Sequence, residues 1–163
     1  VAAVADLRSQ PDVDMVWAVG FGSGASLAIC AAAMDVEIMG VGALAAPADW
    51  SDWAANPRRL LLHARDSGML TMERASPDFG RWSSALSEIS AERAVASMAQ
   101  RDLLLVHGTD DELVPPLDAR VIAGRHGSAD LRMIAGAGHH LRHDPRAIAT
   151  LLGWLDRQRR RYA

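Results

Sequence analysis

Short apolar runs alternate with helical patterns along this sequence, and this alternation constrains the fold more than any other feature. Residues 15–19 form a continuous apolar run that ends at Gly20, which is typical of a strand covered on both faces. Similar runs occupy residues 36–46, 103–107 and 131–134, and helical patterns occupy residues 1–9, 25–34, 91–98, 116–125 and 145–160. Strands and helices in this order form a mostly parallel sheet with crossover helices, so the sequence predicts an α/β fold.

Length and composition indicate one globular domain over residues 1–163. Half of the 163 residues are hydrophobic and 23% are charged, a balance that can bury a core. The net charge of −3 provides no positive field for nucleic acid. No apolar run approaches the ~18 residues that a membrane span requires. The single cysteine, Cys30, cannot form an internal disulfide, which favours a reducing compartment. We therefore expect a cytoplasmic protein with neither nucleic-acid nor membrane partners.

Residues 49–90 break the alternation and are predicted to form a cap-like insertion over the sheet. The segment concentrates large apolar side chains: Trp50, Trp53, Met69, Met72, Phe79 and Trp82. The three tryptophans have two interpretations. They either pack the insertion or, together with Phe21 and Ser23, line a site for a small acyl or aromatic ligand.

Three glycine-containing polar loops follow predicted strands, at the sheet edge where α/β proteins bind ligands. They read GFGSGA at residues 20–25, HGTDDELVP at residues 107–115 and GAGHH at residues 136–140. A strand-turn-helix, then an acid, then a histidine resembles the α/β-hydrolase superfamily, in its esterase and dienelactone-hydrolase-like branch. The resemblance covers residues 12–156 apart from the insertion. It implies a partial α/β-hydrolase fold and descent from ester- or amide-cleaving serine hydrolases.

The resemblance assigns the triad acid to Asp111 and the general base to His139. A carboxylate can hold an imidazole in one tautomer and stabilise its cation, so that the imidazole can deprotonate a hydroxyl. Asp110 is the competing acid, although the spacing to the following Val-Pro pair favours Asp111. The alternative is that both aspartates only stabilise a turn before a helix.

The first loop departs from the family at the nucleophile. In the glycine-x-serine-x-glycine elbow, a small residue lies two positions before the serine and another lies two positions after it. Placing Gly20 and Gly24 there puts Gly22, which has no side chain, at the vacant nucleophile position. Ser23 is the alternative nucleophile, but it would place Phe21 at a position that requires a small residue. Two further candidates are less suitable because they lie inside the predicted helix: Ser26 and Cys30.

Cofactor and metal sites are not expected. The first loop also matches a dinucleotide fingerprint, but no acidic residue ends the next predicted strand. His139 and His143 are four residues apart, and His140 and Asp144 lie beside them. Because Pro145 begins a helix only after this cluster, a loop and helix cap is favoured over metal ligation. The terminal arginines are interpreted as complementing a helix dipole.

The sequence before residue 12 provides none of the strands that the family places ahead of the elbow, nor their oxyanion-hole N–H group. Strand 15–19 should therefore have an open edge, which a longer polypeptide, an oligomer or a partner would cover. Three functions remain open. The chain is a non-catalytic pseudoenzyme that binds a small acyl or aromatic ligand, an esterase or amidase using Ser23 or an activated water, or an interaction subunit completed by a partner.

Overall fold

The computed structural model describes residues 2–66, 78–98 and 101–162. Helices and strands alternate along most of this length. In chain order they are α1 (Ala2–Arg8), β1 (Val16–Phe21), α2 (Ser23–Met34), β2 (Ile38–Leu44), α3 (Ser51–Ala55), α4 (Pro57–Asp66), α5 (Phe79–Ser87), α6 (Ala91–Val95), β3 (Asp102–Gly108), α7 (Pro116–His126), β4 (Asp130–Ile134) and α8 (Pro145–Tyr162). Short 3₁₀ turns occupy Ala96–Met98 and Leu141–His143.

The sheet in the described part of the chain has four strands in the order β1-β2-β3-β4, and all three pairings are parallel. The predicted α/β class is confirmed. Because parallel strands share one carboxyl edge, the loops after β1, β3 and β4 emerge on the same side of the sheet. These are the three loops that the sequence singles out.

Small residues in β2 allow its neighbours to pack closely. A Cβ atom on Gly40 would lie 2.5 Å from the carbonyl oxygen of Asp102. On Gly42 it would lie 2.8 Å from Cδ1 of Leu151. A side chain on Gly40 would therefore push the backbone of β3 away, whereas one on Gly42 would displace only the end of the Leu151 side chain.

Two apolar clusters cover the sheet. One includes Ile29 of α2, Val41 of β2 and Ile122 of α7. The other includes Leu104 of β3 and Trp154 of α8. Burying a large apolar side chain contributes about 1.5–3 kcal/mol, so these clusters hold the strands that carry the site loops.

The observed elements differ from the sequence prediction mainly at their ends. Strand β2 stops at Leu44 because Ala45 takes a φ of 54° and donates its N–H to the carbonyl oxygen of Val106 at 2.9 Å. Helix α8 continues to Tyr162, whose hydroxyl donates to Asp102 at 2.9 Å. Among the described residues, no helix combines the length and apolarity that crossing a membrane requires.

Asp49–Ser90 forms a compact unit of its own, separate from the unit that contains the sheet. An antiparallel bridge joins Asp49 to Ser90 at the two ends of this unit. Inside it, the Ser83 hydroxyl donates to the carbonyl oxygen of Ala54 at 2.9 Å. Met69, Met72 and the Phe79 side chain lie outside the described residues.

Candidate active site

Gly22 forms a sharp turn between β1 and α2. Its φ of 55° and ψ of −124° are values at which an L-residue with a side chain is strained. Glycine has no Cβ and enters this region at little cost. The turn is also fixed by a hydrogen bond of 2.8 Å from the N–H of Gly22 to the carbonyl oxygen of Leu44. A strand, a sharp turn and a helix thus follow one another here, and the residue at the turn has no hydroxyl group.

The turn requires a glycine at position 20 but not at position 24. A Cβ atom on Gly20 would lie 2.2 Å from the carbonyl oxygen of Gly24, whereas a Cβ atom on Gly24 would meet nothing within 4 Å. Phe21 is half-buried and packs against the apolar cluster that includes Trp154. Ser23 is half-buried and is the first residue of α2.

Asp111 is placed in the turn after β3 with a fully buried side chain. Its Oδ1 accepts the backbone N–H groups of Leu113 and Val114, each at 2.9 Å. Its Oδ2 lies 2.9 Å from Nδ1 of His139 and 3.3 Å from Nε2 of His107. Burial opposes ionisation of the carboxyl group. However, the hydrogen bonds from the two histidines and from Val114 outweigh it and hold the pKa of Asp111 well below its usual value.

His139 lies in the loop after β4, with 14% of its side chain exposed. Because Nδ1 donates to Asp111, the neutral ring carries its lone pair on Nε2. A Cβ atom built on Gly22 would lie 3.2 Å from this Nε2 atom. The structure therefore brings Asp111, His139 and Gly22 together, with Nε2 of His139 directed at the point where a side chain of residue 22 would begin.

Backbone contacts between the acid and base loops hold this arrangement. A Cβ atom on Gly108 would lie 2.1 Å from the carbonyl oxygen of Ala137, so residue 108 must be glycine for the loops to approach. The N–H of Asp110 donates to the same oxygen at 3.0 Å. Its exposed carboxylate accepts the Thr109 hydroxyl at 2.7 Å. Asp110 thus joins the two loops through its backbone, and Asp111 holds His139.

His107 belongs to the site but received no role in the sequence analysis. Its side chain is fully buried, and its Nε2 lies 3.0 Å from the carbonyl oxygen of Val114 as well as 3.3 Å from Asp111. A histidine that ends an otherwise apolar strand was the available signal. A buried polar side chain needs a hydrogen-bond partner, and the loop that follows His107 contains the nearest carboxylates in the sequence.

The start of α2 provides one hydrogen-bond donor to the site. Ser23 is the first residue of this helix, so its N–H has no acceptor within the helix. In a nucleophile elbow, the N–H of the residue after the nucleophile forms half of the oxyanion hole. Ser23 can therefore contribute through its backbone.

The other predicted site residues have surroundings of their own. The Ser26 hydroxyl is fully buried and donates to the carbonyl oxygen of Pro47 at 2.6 Å, so it serves as a structural tie. Within the Asp49–Ser90 unit, the rings of Trp50 and Trp53 lie 5.3 Å apart, and the two residues expose only 2% and 3% of their surface. Both leave little area for a ligand. Trp82 is half-buried, as is Cys30 in α2.

The histidines after His139 take part in local contacts. His143 Nε2 accepts from Arg142 at 3.0 Å. Asp144 pairs with Arg146 at 2.6 Å, and hydrogen bonds from this arginine lower the pKa of Asp144 to about 2. No group of three or more potential metal ligands occurs among the residues described.

Comparison with known proteins yields structural matches. No family model matches the sequence, and no curated protein matches it significantly. Among solved structures, Est1E from Butyrivibrio proteoclasticus matches with a TM-score of 0.70 at 21% identity, over 91% of this chain and 62% of Est1E. The Pyrococcus furiosus esterase Pf2001 matches with a TM-score of 0.67 at 18% identity, over 96% of this chain and 59% of that one.

The esterase domain of a Rhodothermus marinus protein matches with a TM-score of 0.66 at 20% identity, over 96% of this chain and 66% of that one. The chain thus spans 59–66% of the length of these three structures. These matches and the parallel sheet confirm the fold that the three loops predict: the chain has a partial α/β-hydrolase fold.

Proposed function

We propose that this chain is a catalytically impaired hydrolase-fold protein that binds a small acyl or aromatic ligand and forms no covalent acyl-enzyme. The observation that carries the proposal is the absence of a side chain at Gly22, where a Cβ atom would face Nε2 of His139 at 3.2 Å. A serine hydrolase needs a hydroxyl at this point to attack the carbonyl carbon. Ser23 is the first residue of α2, after the turn. Its hydroxyl would be the nucleophile only if the chain were an active esterase or amidase.

The remaining groups suit a ligand with a carbonyl or carboxylate group. The N–H of Ser23 lies at the positive end of a 12-residue helix, where partial negative charge is stabilised. Phe21 offers a half-buried aromatic surface next to the turn. Est1E has also been solved with ferulic acid bound, so this aromatic acid is the first ligand to test.

Covalent labelling tests the absence of a nucleophile. We expect no mass increase when the wild-type chain is incubated with a fluorophosphonate probe, and no burst of p-nitrophenol from p-nitrophenyl acetate. A commercial serine esterase treated in parallel controls for probe quality. Stoichiometric labelling of Ser23, located by peptide mass spectrometry and abolished in Ser23→Ala, would overturn the proposal.

Ligand binding is tested by NMR titration with ferulic acid. We expect saturable shifts of the amide signals at residues 21–24 and of the His139 ring. Acetate in place of ferulic acid shows whether the aromatic ring contributes to affinity. Shifts confined to residues outside this loop, or none up to millimolar ligand, would contradict binding at the elbow.

A second candidate is slow hydrolysis by a water molecule that His139 activates. The favouring observation is again that Nε2 of His139 is directed at the point where residue 22 would carry a side chain, next to the Ser23 N–H. Water would donate a proton to Nε2 and attack the ester carbonyl, and the alcohol would leave with that proton. Linear release of p-nitrophenol that is lost in His139→Gln and kept in Ser23→Ala would support this candidate. If the wild-type chain, His139→Gln and Ser23→Ala all release p-nitrophenol no faster than buffer alone, this candidate is excluded.

We also propose that a further polypeptide segment or partner covers the edge of β1. Five of the large apolar side chains that are exposed lie in or next to the β1–α2 region: Leu7, Val19, Leu27, Met34 and Val36. β1 is an edge strand of the described sheet and contains Val19, and an edge strand with an exposed apolar side chain favours pairing with another chain.

A further inference from the structure

Two imidazole rings meet at one carboxylate oxygen in this site. Oδ2 of Asp111 lies 2.9 Å from Nδ1 of His139 and 3.3 Å from Nε2 of His107. The other oxygen, Oδ1, is occupied by the N–H groups of Leu113 and Val114. A carboxylate has about four acceptor positions, and three of them are filled by hydrogen bonds from Leu113, Val114 and His139. Nε2 of His107 faces the fourth at 3.3 Å and shares its hydrogen with the nearer carbonyl oxygen of Val114 at 3.0 Å.

The surroundings of His107 fix its tautomer. Its Nε2 faces two acceptors, the carbonyl oxygen of Val114 at 3.0 Å and Oδ2 of Asp111, so this nitrogen must carry the hydrogen. Its Nδ1 is buried and has no hydrogen-bond partner among the described residues. A proton on Nδ1 would create a buried cation with an unpaired N–H, which is unfavourable. His107 therefore donates from Nε2, the nitrogen opposite to the one from which His139 donates.

We propose that His107 is a positioning residue for the Asp111–His139 pair: it keeps Asp111 ionised and takes part of the negative charge of the oxygen that holds His139. A carboxylate buried with His139 alone would have one side-chain donor on Oδ2. The second donor stabilises the ionised form without adding a charge. It also weakens the hold of Oδ2 on the Nδ1 proton of His139, because two N–H groups share that oxygen.

The charged and titratable groups around this oxygen come from two loops and one strand. His107 is contributed by β3, and His139 by the loop after β4. His140 faces the His139 ring edge-on, with the ring centroids 5.8 Å apart. His140 is exposed, so His140→Gln is a control for a nearby ring that does not touch Asp111.

A pair of variants at position 107 separates hydrogen bonding from packing. His107→Leu retains the volume and removes the donor, whereas the amide group of His107→Gln can donate at nearly the same point as Nε2. The carboxyl carbon of Asp111 is followed by ¹³C NMR and assigned with Asp111→Asn. The Nδ1 proton of His139 is followed by ¹H NMR, and the ring nitrogens of His107 are followed by ¹⁵N NMR.

We expect the pKa of Asp111 to rise by about one to two units in His107→Leu and to stay near the wild-type value in His107→Gln and His140→Gln. The Nδ1 proton of His139 should move downfield in the leucine variant only, because Oδ2 then has one fewer donor. A folded leucine variant with unchanged signals would overturn the proposal.

If the leucine variant does not fold, the wild-type spectrum still decides. A neutral His107 ring with its hydrogen on Nε2 supports the proposal, and an imidazolium or an Nδ1–H ring at neutral pH overturns it. The inference relies on the pairing of Asp111 with His139, which the proposed function also uses. However, none of these signals requires an ester, a probe or a ligand, so failure of the proposed function would leave them unchanged.

Discussion

Nε2 of His139 lies 3.2 Å from the point at which Gly22 would carry a Cβ atom. This distance is shorter than most Cβ contacts, so a side chain at position 22 would touch the imidazole directly. Asp111, His139 and the turn at Gly22 are therefore close together, although the turn carries no hydroxyl.

Gly22→Ser should make the chain reactive towards a fluorophosphonate probe. The new hydroxyl would lie beside Nε2 of His139, after the ring moves by a few tenths of an ångström. The backbone strain of a side chain at a φ of 55° should lower the free energy of unfolding by about 1–3 kcal/mol. Gly22→Ala carries the same strain without the hydroxyl and should stay unlabelled. A folded serine variant without label would show that the pair does not activate position 22.

Gly20→Ala and Gly24→Ala should have opposite effects on stability. The first would place a Cβ atom 2.2 Å from the carbonyl oxygen of Gly24, and the second would meet nothing within 4 Å. We expect the first change to cost more than about 4 kcal/mol or prevent folding, because backbone must move. The second should be neutral or stabilise α2 by up to ~1 kcal/mol. Urea unfolding measures both, and equal midpoints would refute the close approach.

Asp111→Asn should destabilise the chain strongly at neutral pH and less in acid. The folded-state pKa of Asp111 is depressed, so its ionised form stabilises the fold above the unfolded-state pKa of about 4. That contribution is lost as pH falls towards the folded-state value. The asparagine variant should therefore be about 1–3 kcal/mol less stable at pH 7, because buried N–H donors lose an acceptor, with a smaller difference near pH 3. A difference that does not change between these pH values would contradict the assignment.

Val19→Lys should reduce self-association of the isolated chain. Val19 lies in β1 with 40% of its surface exposed, and a lysine on an edge strand opposes pairing with another strand. Leu117→Lys, on α7 at a residue that is 63% exposed, is the matched control and should have no effect. Light scattering over a range of concentrations provides the measurement. A wild-type chain that stays monomeric at all of them would argue against a covered edge.

Much of this architecture is predictable, because the alternation of apolar runs and helical patterns indicates both the strands and the loops that carry the site residues. The run at residues 103–107 becomes β3, and the motif that follows it places Asp111 at the carboxyl edge of the sheet. A parallel sheet then brings the loop after β4, with His139, next to it. Nothing beyond the order of the apolar runs and loops is needed for this step.

Other features depend on tertiary contacts that no local pattern encodes. Ala45 adopts a left-handed conformation that sequence rules reserve mainly for glycine, and it thereby ends β2 early. Tyr162 extends α8 through a bond to Asp102, which lies 60 residues earlier. The role of His107 depends on the turn at residues 108–111 bringing Asp111 back over the end of β3, and spacing alone does not reveal this fold-back.

The turn at Gly22 also has a genetic consequence. Glycine and serine codons can differ by a single base, and this turn already has the shape and the base that a serine would need. Where the glycine codon is GGT or GGC, one base change would place a serine beside His139. Selection acting on chemistry and selection acting on folding would then fall on different positions, the first on residue 22 and the second on Gly20 and Gly108.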